Sequence, residues 1–350
     1  MQSFFTKTLL HWHSTNNLRN LPWKNETDIY KIWLSEIMLQ QTKAETVIHY
    51  YHTFTKKYKT VKALAEAPLQ EVLKNWEGLG YYNRCKNLHH TAKVIAANKG
   101  SWPTTYNGLL ALKGIGTYTA AAIASFAYNL PYAVVDGNVQ RILSRYFGIY
   151  TPVDSTHGKV QFATLAQQLM PVNNAATYNQ AIMDFGATVC KPRQAMCEVC
   201  NLLVTCVANK TNAVHNLPVK AKKAALKKRY LVYYIVTCGN KQLIVLRTAN
   251  DVWQGLYEYA LTELNTATMI TTNNWQVHLP IGLKNTTTTL KSISGMLTQK
   301  LTHQHIHAQF VHLQVNTMLK IDDMQWVTNN KLKTLPFAAI INAYNNSASK

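Results

Sequence analysis

Acidic residues are scarce in this 350-residue chain, and that scarcity bears on the partners it can bind. Asp and Glu number 16 against 36 Lys and Arg, so the formal net charge is +20. This imbalance favours polyanionic partners, with nucleic acid ahead of an anionic membrane surface. Charge alone does not separate DNA from RNA.

The chain also lacks an apolar run of the kind that directs secretion. Residues 1–20 mix His, Thr and Asn with a few apolar residues, which does not fit a signal peptide. Residues 114–135 carry no charge over a length that could span a bilayer. Because this run opens on a Gly-Ile-Gly turn and contains Pro131, we expect a buried helix and a loop. A reducing cytoplasmic location and no membrane partner follow as expectations.

Strand-like alternation is nearly absent before Cys206, whereas helical spacing recurs there. Thr27 or Asp28 can cap a helix whose apolar face includes Trp33 and Ile37. Further helices are predicted over residues 44–58, 69–77, 81–97, 106–112, 118–128, 139–147, 159–170 and 176–189. The pattern predicts an all-α first domain over residues 1–206.

The composition changes after Cys206. Residues 207–228 are rich in Lys, Ala and Asn and predict a basic linker, which either contacts phosphate or is simply solvated. Its end is crowded by Lys220, Lys222, Lys223, Lys227, Lys228 and Arg229. Strand-like runs at 230–237 and 242–248 flank Gly239-Asn240-Lys241, which is a hairpin signal. With a strand at 307–316 and a closing helix at 336–344, we expect a smaller α+β domain over residues 229–350.

Most of the cysteines lie in one short loop. The array comprises Cys190, Cys197, Cys200 and Cys206. Thiolates this close either form disulfides or hold a soft metal, and the spacing allows zinc or an Fe–S cluster. Disulfides are disfavoured because no secretory signal precedes the array and Cys85 and Cys238 lie far away. One tight loop favours a single [4Fe–4S] cluster over zinc, since zinc ribbons usually pair two separated knuckles.

A turn with two glycines, Gly114 and Gly116, joins two of the predicted helices. Glycine lets the backbone approach a ligand closely, and N–H groups at the next helix start can bind a phosphate oxygen. A bare connecting turn is the alternative. The basic excess favours the phosphate interpretation.

Two carboxylates complete the sequence-based site. Asp136 follows an apolar run where a helix begins, so an ordinary N-cap is the alternative interpretation. Glu36 lies among apolar residues of the first predicted helix, and burial would raise its pKa; a water-facing glutamate is the alternative. One protonated and one ionised carboxyl form the pair needed to break a glycosidic bond.

Six short motifs, taken in order, resemble the adenine DNA glycosylases of the MutY family. They are Leu21-Pro22-Trp23, Trp33 to Thr42, Gly78-Leu79-Gly80-Tyr81-Tyr82, the Gly-Ile-Gly turn, Asp136-Gly137-Asn138-Val139 and the cysteine array. The match extends from about Trp12 to Cys206 and more loosely beyond. An ordered set of this kind is far more specific than any one of its members.

The resemblance implies an all-α helix-hairpin-helix glycosylase domain, with the hairpin near residues 112–118 and an iron–sulfur loop over 190–206. It implies one [4Fe–4S] cluster and a monomer that acts on double-stranded DNA in the cytoplasm, at the nucleoid. The expected reaction removes adenine mispaired with 8-oxoguanine or guanine. A flipped base must enter a pocket for such chemistry.

The resemblance also implies residue roles. Glu36 would protonate adenine and Asp136 would stabilise the cationic sugar, with Asn138 orienting the acids and Tyr118 lining the site. The residues expected to surround the flipped adenine are Arg19, Leu21, Trp23 and Gln180. Those expected to contact DNA are Gln41, Thr42, Tyr81, Gly114 and Gly116, of which Gln41 and Tyr81 match positions that wedge near the mismatch. Lys191 and Arg193 are expected to contact phosphate because they are basic residues inside the cysteine loop.

Tyr118 also bears on the reaction type. Relatives similar to endonuclease III carry a lysine nucleophile two residues beyond the second glycine of the turn, where this chain has Tyr118. Lys113 precedes the turn and is not equivalent. We therefore expect a monofunctional enzyme that leaves an abasic site.

The second domain resembles, more weakly, the Nudix-like recognition domain of the same family. The segments Trp253 to Glu258 and Leu301-Thr302-His303 carry this resemblance, and Thr302 and His303 are the residues expected to sense 8-oxoguanine. Tyr257 and Leu301 stand where the family more often has Trp and Phe. No acidic Nudix catalytic box is present, so nucleotide hydrolysis is not expected. A pyrimidine glycosylase, and a cluster-bearing DNA-binding protein without catalysis, are the alternative functions.

Overall fold

The chain forms two compact units in a computed structural model that describes residues 2–221, 226–284 and 286–348. The first unit comprises residues 1–66 and 87–223, and the second comprises 67–86 and 224–350. The first is helical and the second is built on a sheet. This confirms the predicted order of an all-α domain followed by an α+β domain.

The helices up to the cysteine array agree closely with the predicted ones. In chain order they are α1 (Gln2–Asn16), α2 (Ile29–Leu39), α3 (Ala44–Lys57), α4 (Val61–Glu66), α5 (Leu69–Asn75), α6 (Tyr82–Ala97), α7 (Tyr106–Leu110), α8 (Thr117–Tyr128), α9 (Gly137–Phe147), α10 (Thr156–Leu169) and α11 (Ala175–Thr188). The predicted cap of α2 is confirmed, since the Asp28 carboxylate accepts the Tyr30 N–H at 2.9 Å. Helices α1 and α4 were not predicted.

Helix α1 belongs to the main core of the first unit. Phe5, Leu9 and Trp12 recur every three or four residues and are buried in one cluster with residues of α9, α10 and α11. The core therefore fixes α1 against α9, which Asp136 caps, and α11, which carries Gln180.

The uncharged run at 114–135 is a buried helix and a loop, as predicted. Residues 119–125 of α8 are all buried, and the helix ends at Asn129 in a left-handed conformation with φ of 51°. In the part of the chain that the structure describes, no helix is long and apolar enough to cross a membrane.

The segment expected to be a basic linker, residues 207–228, begins as part of the first unit. Residues Val207–Lys210 form α12, and Ala208, Ala213 and Leu217 make a small buried cluster. Its apolar residues explain the difference, because they find partners that a solvated linker lacks. Lys222 and Lys223 lie outside the described residues, and Lys227 already begins the first strand.

A mixed sheet organises the second unit. Its strands are β1 (Lys227–Cys238), β2 (Lys241–Leu246), β3 (Tyr257–Glu258), β4 (Ala260–Leu264), β5 (Thr289–Ile293), β6 (Leu297–Lys300), β7 (Gln304–Gln314) and β8 (Met324–Thr328), followed by α13 (Asn329–Leu332) and α14 (Ala339–Ala348). The main order is β3-β2-β1-β7-β5, with β4 on β1, β6 on β7 and β8 on β2. Only β1 and β7 pair in parallel among the described strands. The predicted hairpin is confirmed, since Cys238 pairs with Lys241.

Residues 67–86 belong to the second unit, which the sequence did not predict. Gln70 Nε2 donates to the Gly255 carbonyl at 3.3 Å, and Lys86 Nζ donates to Gln254 Oε1 at 2.9 Å. The Phe337 N–H donates to Glu77 Oε1 at 2.9 Å. This segment carries Tyr81, so Tyr81 and the sheet belong to the same unit.

Candidate active site

Glu36 lies on the buried side of α2. Its side chain is only 3% exposed, and Trp33, Ile37 and Met38 are buried beside it. Burial raises the pKa of Glu36 to about 7, the Tyr118 hydrogen bond opposes this rise, and the charge of Asp136 adds to it. The buried interpretation of Glu36 is therefore confirmed over the water-facing one, and the group can hold a proton at neutral pH.

Asp136 is both an N-cap and a member of the site. Its Oδ1 accepts the N–H groups of Asn138 and Val139, each at 2.8 Å, at the start of α9. Its Oδ2 accepts the side-chain amide of Asn138 at 2.7 Å. Burial raises the pKa of Asp136 while these hydrogen bonds lower it. The two interpretations left open by the sequence are thus compatible.

Asn138 is oriented by two partners with opposite roles. Its Nδ2 donates to Asp136, and its Oδ1 accepts from Arg141 Nη2 at 2.8 Å. Arg141 also donates to the Gly186 carbonyl at 2.7 Å. A Cβ at Gly186 would lie 2.6 Å from the Asn138 Cβ, so glycine allows α11 to approach α9 here. Asn138 thereby fixes the direction of the Asp136 carboxylate.

Tyr118 interacts with both acids. It lies in the first turn of α8, and its hydroxyl is hydrogen-bonded to Glu36. Burial and the negative charges of Glu36 and Asp136 raise its pKa well above the ordinary value, so it remains a neutral donor. The structure thus brings together Glu36, Tyr118, Asp136 and Asn138.

The turn before α8 has a backbone conformation that requires glycine at Gly114. Gly114 has φ of +83°, and a Cβ there would meet the Asn87 Cβ at 2.7 Å. Gly116 is exposed and immediately precedes α8. The Lys113 carbonyl accepts from Thr91 Oγ1 at 2.8 Å, which holds the turn on α6. Exposed backbone at a helix start is suited to a phosphate oxygen.

A cavity of about 190 Å³ adjoins Glu36. Three predicted residues line it: Glu36, Trp23 and Gln180. Arg19 and Leu21 are not among its lining residues. Arg19 instead donates from Nη1 to Asp184 Oδ1 at 2.9 Å.

Sequence reasoning missed two polar residues near this cavity. His13 lines it, and the fully buried Asp184 anchors the loop that precedes α2. The apolar spacing of α1 was a usable signal for placing His13. Asp184 had none, because an acid within an apolar helix does not reveal its partners.

Two cysteines of the array contact the buried Arg145. Arg145 Nη1 lies 3.4 Å from Cys190 Sγ, and Cys206 Sγ donates to the Arg145 carbonyl at 3.5 Å. Burial raises the pKa of Cys200 to about 12, and the charges of the other three cysteines contribute. The four thiols are therefore neighbours. Within the described residues, no group of His, Cys, Asp or Glu is arranged to hold a single metal ion.

The predicted DNA-contact residues outside the second unit are accessible to different degrees. Gln41 is exposed and left-handed, with φ of 57°, and Thr42 is half-buried. Arg193 is exposed, whereas Lys191 is half-buried and its carbonyl accepts from Arg145 at 2.8 Å. Arg145 thus connects the Cys190 thiol with the backbone of Lys191.

A second cavity, of about 580 Å³, lies within the second unit. Its lining includes Tyr81, Trp253, Gln254, Thr302 and His303. The Tyr81 hydroxyl is hydrogen-bonded to Thr302 Oγ1. Two residues predicted to act near the mismatch, from distant parts of the sequence, are therefore in contact.

Arg84 holds Tyr81 in place. Its guanidinium lies 5.4 Å from the Trp76 ring centroid and 5.3 Å from that of Tyr81. It also donates to the carbonyls of Leu79 and Gly80 at 3.3 and 3.2 Å. Tyr81 has φ of 49°, which a non-glycine residue adopts only when its surroundings stabilise it.

Family models match both parts of the chain. Residues 34–166 match the HhH-GPD superfamily of base excision DNA repair proteins, and residues 231–346 match the NUDIX domain. Among solved structures, a thermostable thymine-DNA glycosylase is 31% identical with a TM-score of 0.55, covering 60% of this chain and 97% of that one. An endonuclease III trapped on DNA is 19% identical with a TM-score of 0.53, covering 61% and 98%, and shows the fold alone.

Curated relatives narrow the assignment. The adenine DNA glycosylase of Buchnera aphidicola subsp. Schizaphis graminum is 34% identical over 272 residues, 77% of this chain and 77% of the relative. The adenine DNA glycosylase of Homo sapiens is 42% identical over 214 residues, 58% of this chain and 39% of the relative. Glycosylases hydrolyse an N-glycosidic bond, and the buried acid pair is suited to that reaction. The chain therefore belongs to the adenine DNA glycosylases of base excision repair.

Proposed function

We propose that this enzyme removes adenine paired with 8-oxoguanine or guanine in double-stranded DNA and leaves an abasic site. The observation that carries the proposal is the pair of buried carboxyls, Glu36 and Asp136, that Tyr118 and Asn138 hold in different protonation environments. The enzyme is proposed to act as a monomer, since the residues proposed to act on the flipped base all belong to one chain.

Glu36 supplies the proton. Its pKa near 7 leaves a large protonated fraction at neutral pH, and it lines a cavity into which a base can be placed. A proton on a ring nitrogen of adenine lets the base accept the electron pair of the breaking N-glycosidic bond. Trp23 and Gln180 in the same cavity are the proposed adenine contacts. Arg19 and Leu21 are proposed to shape the loop around it.

Asp136 stabilises the sugar cation that remains. Its carboxylate is directed by Asn138 and by two backbone N–H groups, so it need not reorganise when charge develops on C1′. Water then adds its oxygen to C1′, and its proton passes to a carboxylate. A transient covalent ester between Asp136 and C1′ is a variant of the same step. Either route replaces the base with a hydroxyl group.

Tyr118 supports a monofunctional reaction. The phenol is a neutral donor to Glu36 and lacks the amine that Schiff-base chemistry at C1′ would need. No lyase step is therefore expected from this position. The product is an intact strand with an abasic site.

The four cysteines are proposed to hold one [4Fe–4S] cluster. In such a cluster each cysteine binds a different iron, so the thiolates lie further apart than around one zinc ion. Four neighbouring thiols from one short segment of the chain are available to bind the four irons. When bound, the cluster would crosslink the loop that carries Lys191 and Arg193. These two residues, with the turn at Gly114 and Gly116, are the proposed phosphate contacts.

The second unit is proposed to recognise 8-oxoguanine. Thr302 and His303 are exposed at a cavity that also contains Tyr81, so a hydroxyl, an imidazole and an aromatic face are available together. Tyr81, Gln41 and Thr42 are the proposed contacts near the mismatch. An aromatic ring can fill the space left by a flipped base.

A single-turnover assay on three duplexes tests the proposal. Adenine is placed opposite 8-oxoguanine, guanine or thymine, and strand breaks are measured before and after alkali. Breaks confined to the first two duplexes and appearing chiefly after alkali support it. Adenine release from the thymine duplex as fast as from the other two would contradict the proposed substrate. Strand breaks before alkali would contradict the monofunctional assignment. In a further assay on duplexes with a thymine mispair or an oxidised pyrimidine, release of that pyrimidine would favour the pyrimidine glycosylase instead.

A further inference from the structure

The cavity beside Glu36 presents a polar residue that the proposed reaction leaves unused. His13, on α1, lines the cavity together with Glu36, Trp23, Phe126 and Gln180. Adenine carries three ring nitrogens that accept hydrogen bonds and one amino group that donates them. The state of the His13 ring therefore decides which edge of a base it can bind.

The amide of Asn17 has only one possible orientation. Its Oδ1 accepts the Arg19 N–H at 3.0 Å, and its Nδ2 donates to Asp184 Oδ2 at 2.7 Å. A backbone N–H can only donate here, and a carboxylate can only accept, so exchanging oxygen and nitrogen would break both bonds. Asp184 is fully buried and also pairs with Arg19 at 2.9 Å and Lys24 at 3.2 Å.

This orientation determines the tautomer of His13. The second hydrogen on Asn17 Nδ2 is directed at His13 Nδ1, 2.8 Å away. Nδ1 must then be an unprotonated acceptor, so a neutral ring carries its hydrogen on Nε2. Burial lowers the pKa of His13, the charge of Lys24 lowers it further, and Asp184 opposes both. The polar group that His13 can offer to a bound base is Nε2–H.

We propose that His13 is a hydrogen-bond donor to a ring nitrogen of the base held in the cavity, and thereby helps to select adenine. Asn17 and Asp184 are positioning residues that fix its tautomer. The inference rests on the proposed function, because it places the substrate base beside Glu36. It adds a base-contacting residue from α1.

The tautomer can be measured without any substrate. In the full-length protein with 15N-labelled histidine, the two ring nitrogens of His13 give distinct chemical shifts for each tautomer, and His13→Gln assigns the signal. Nε2–H at pH 7.5 is expected in the wild type, with a mixture of tautomers in Asn17→Ala. A protonated ring, or a ring with its hydrogen on Nδ1, would overturn the proposal.

Base contact is tested by combining variants with altered bases. Duplexes with 8-oxoguanine opposite 2′-fluoro-substituted 1-deaza-, 3-deaza- or 7-deazaadenine resist cleavage, so Kd can be measured. One of these replacements should weaken wild-type binding about 10-fold, as expected when one hydrogen bond is removed. The same replacement should have no effect in His13→Phe, and an effect near that of the wild type in His13→Gln, which retains an N–H donor.

The control is His11→Phe, because His11 is exposed on the same helix. It should behave as the wild type with every base. The inference would be overturned if each of the three altered bases weakened binding equally in the wild type and in His13→Phe. Adenine release is measured with the same wild-type preparation. If adenine is released, only the inference about His13 has failed; if none is released, the proposed function itself has failed.

Discussion

The Tyr118 hydroxyl donates a hydrogen bond to the Glu36 carboxyl group, while Glu36 Oε2 has no hydrogen-bond partner among the described residues. One carboxyl oxygen is therefore held and the other is buried without compensation. A buried, unpaired oxygen is costly when the group is charged. The unpaired Oε2 favours the protonated acid, whereas the Tyr118 hydrogen bond opposes protonation and orients the carboxyl group.

Replacing Tyr118 by Phe should shift the pH dependence of adenine release. In the proposed reaction the protonated form of Glu36 is the active one, so the rate should fall as pH rises through about 7. The Tyr118 hydrogen bond lowers the pKa of Glu36, so its removal should move this fall to higher pH. Single-turnover rates from pH 5.5 to 9 measure it.

Tyr128→Phe is the matched control, because Tyr128 is half-buried on the same helix. Its pH profile should match that of the wild type. A fall at lower pH in Tyr118→Phe would contradict the assigned role of the hydrogen bond.

Glu36 should make the protein less stable at alkaline pH. Its pKa rises from 4.5 in the unfolded chain to about 7 in the folded one. The folded state thus binds the proton more tightly, and stability is lost as pH rises from about 4.5 through 7. Glu36→Gln removes this loss, so it should be more stable than the wild type at pH 8, by up to about 3 kcal/mol.

The two proteins should be equally stable near pH 4.5. Urea unfolding at both pH values gives the comparison, which isolates Glu36 because Asp136 is common to both proteins. If the difference in the free energy of unfolding between the two proteins did not change with pH, Glu36 would not be held neutral by burial.

The sequence revealed the residues of the acid pair but not how they are held. Burial of Glu36 followed from its apolar neighbours on α2, and Asp136 followed from the end of an apolar run. That Asp136 would be both N-cap and site residue could not be predicted, because a cap needs only local backbone. The contact with Tyr118 joins α2 and α8 and has no local signature.

Other features of the fold were not predicted from the sequence, for similar reasons. Helix α1 was missed although Phe5, Leu9 and Trp12 have helical spacing, and His13 was missed with it. Strand β5 was not predicted, because most of its residues are exposed and it lacks an apolar run. The grouping of residues 67–86 with the sheet depends on contacts far apart in sequence, such as Tyr81 with Thr302, which periodicity cannot show.

Arg84 should support the discrimination of 8-oxoguanine from guanine. Arg84→Gln removes a cation that lies against Tyr81 and Trp76, which is worth about 1 kcal/mol or a factor of about 5. The ratio of Kd values for the 8-oxoguanine and guanine duplexes should fall by that factor. Lys93→Gln, an exposed change on α6, should leave the ratio unchanged. An unchanged ratio in Arg84→Gln would remove Arg84 from this role.

Lys191 and Arg193 should bind DNA phosphates. Replacing both by Ala should weaken duplex binding and reduce the slope of log K against log salt by about 1 for each phosphate that is no longer neutralised. Because phosphate carries no sequence, the weakening should be equal for lesion and undamaged duplexes. A selective effect on the lesion duplex would instead indicate that these residues touch the mispair.

The most direct test of the account is adenine release by Glu36→Gln from a duplex with adenine opposite 8-oxoguanine. Glutamine keeps the size of the side chain and cannot supply the proton, so the single-turnover rate should fall at least about 100-fold while Kd changes little. Glu45→Gln, an exposed change on α3, should keep the wild-type rate. Release by Glu36→Gln at close to the wild-type rate would contradict the assignment of Glu36 as the acid.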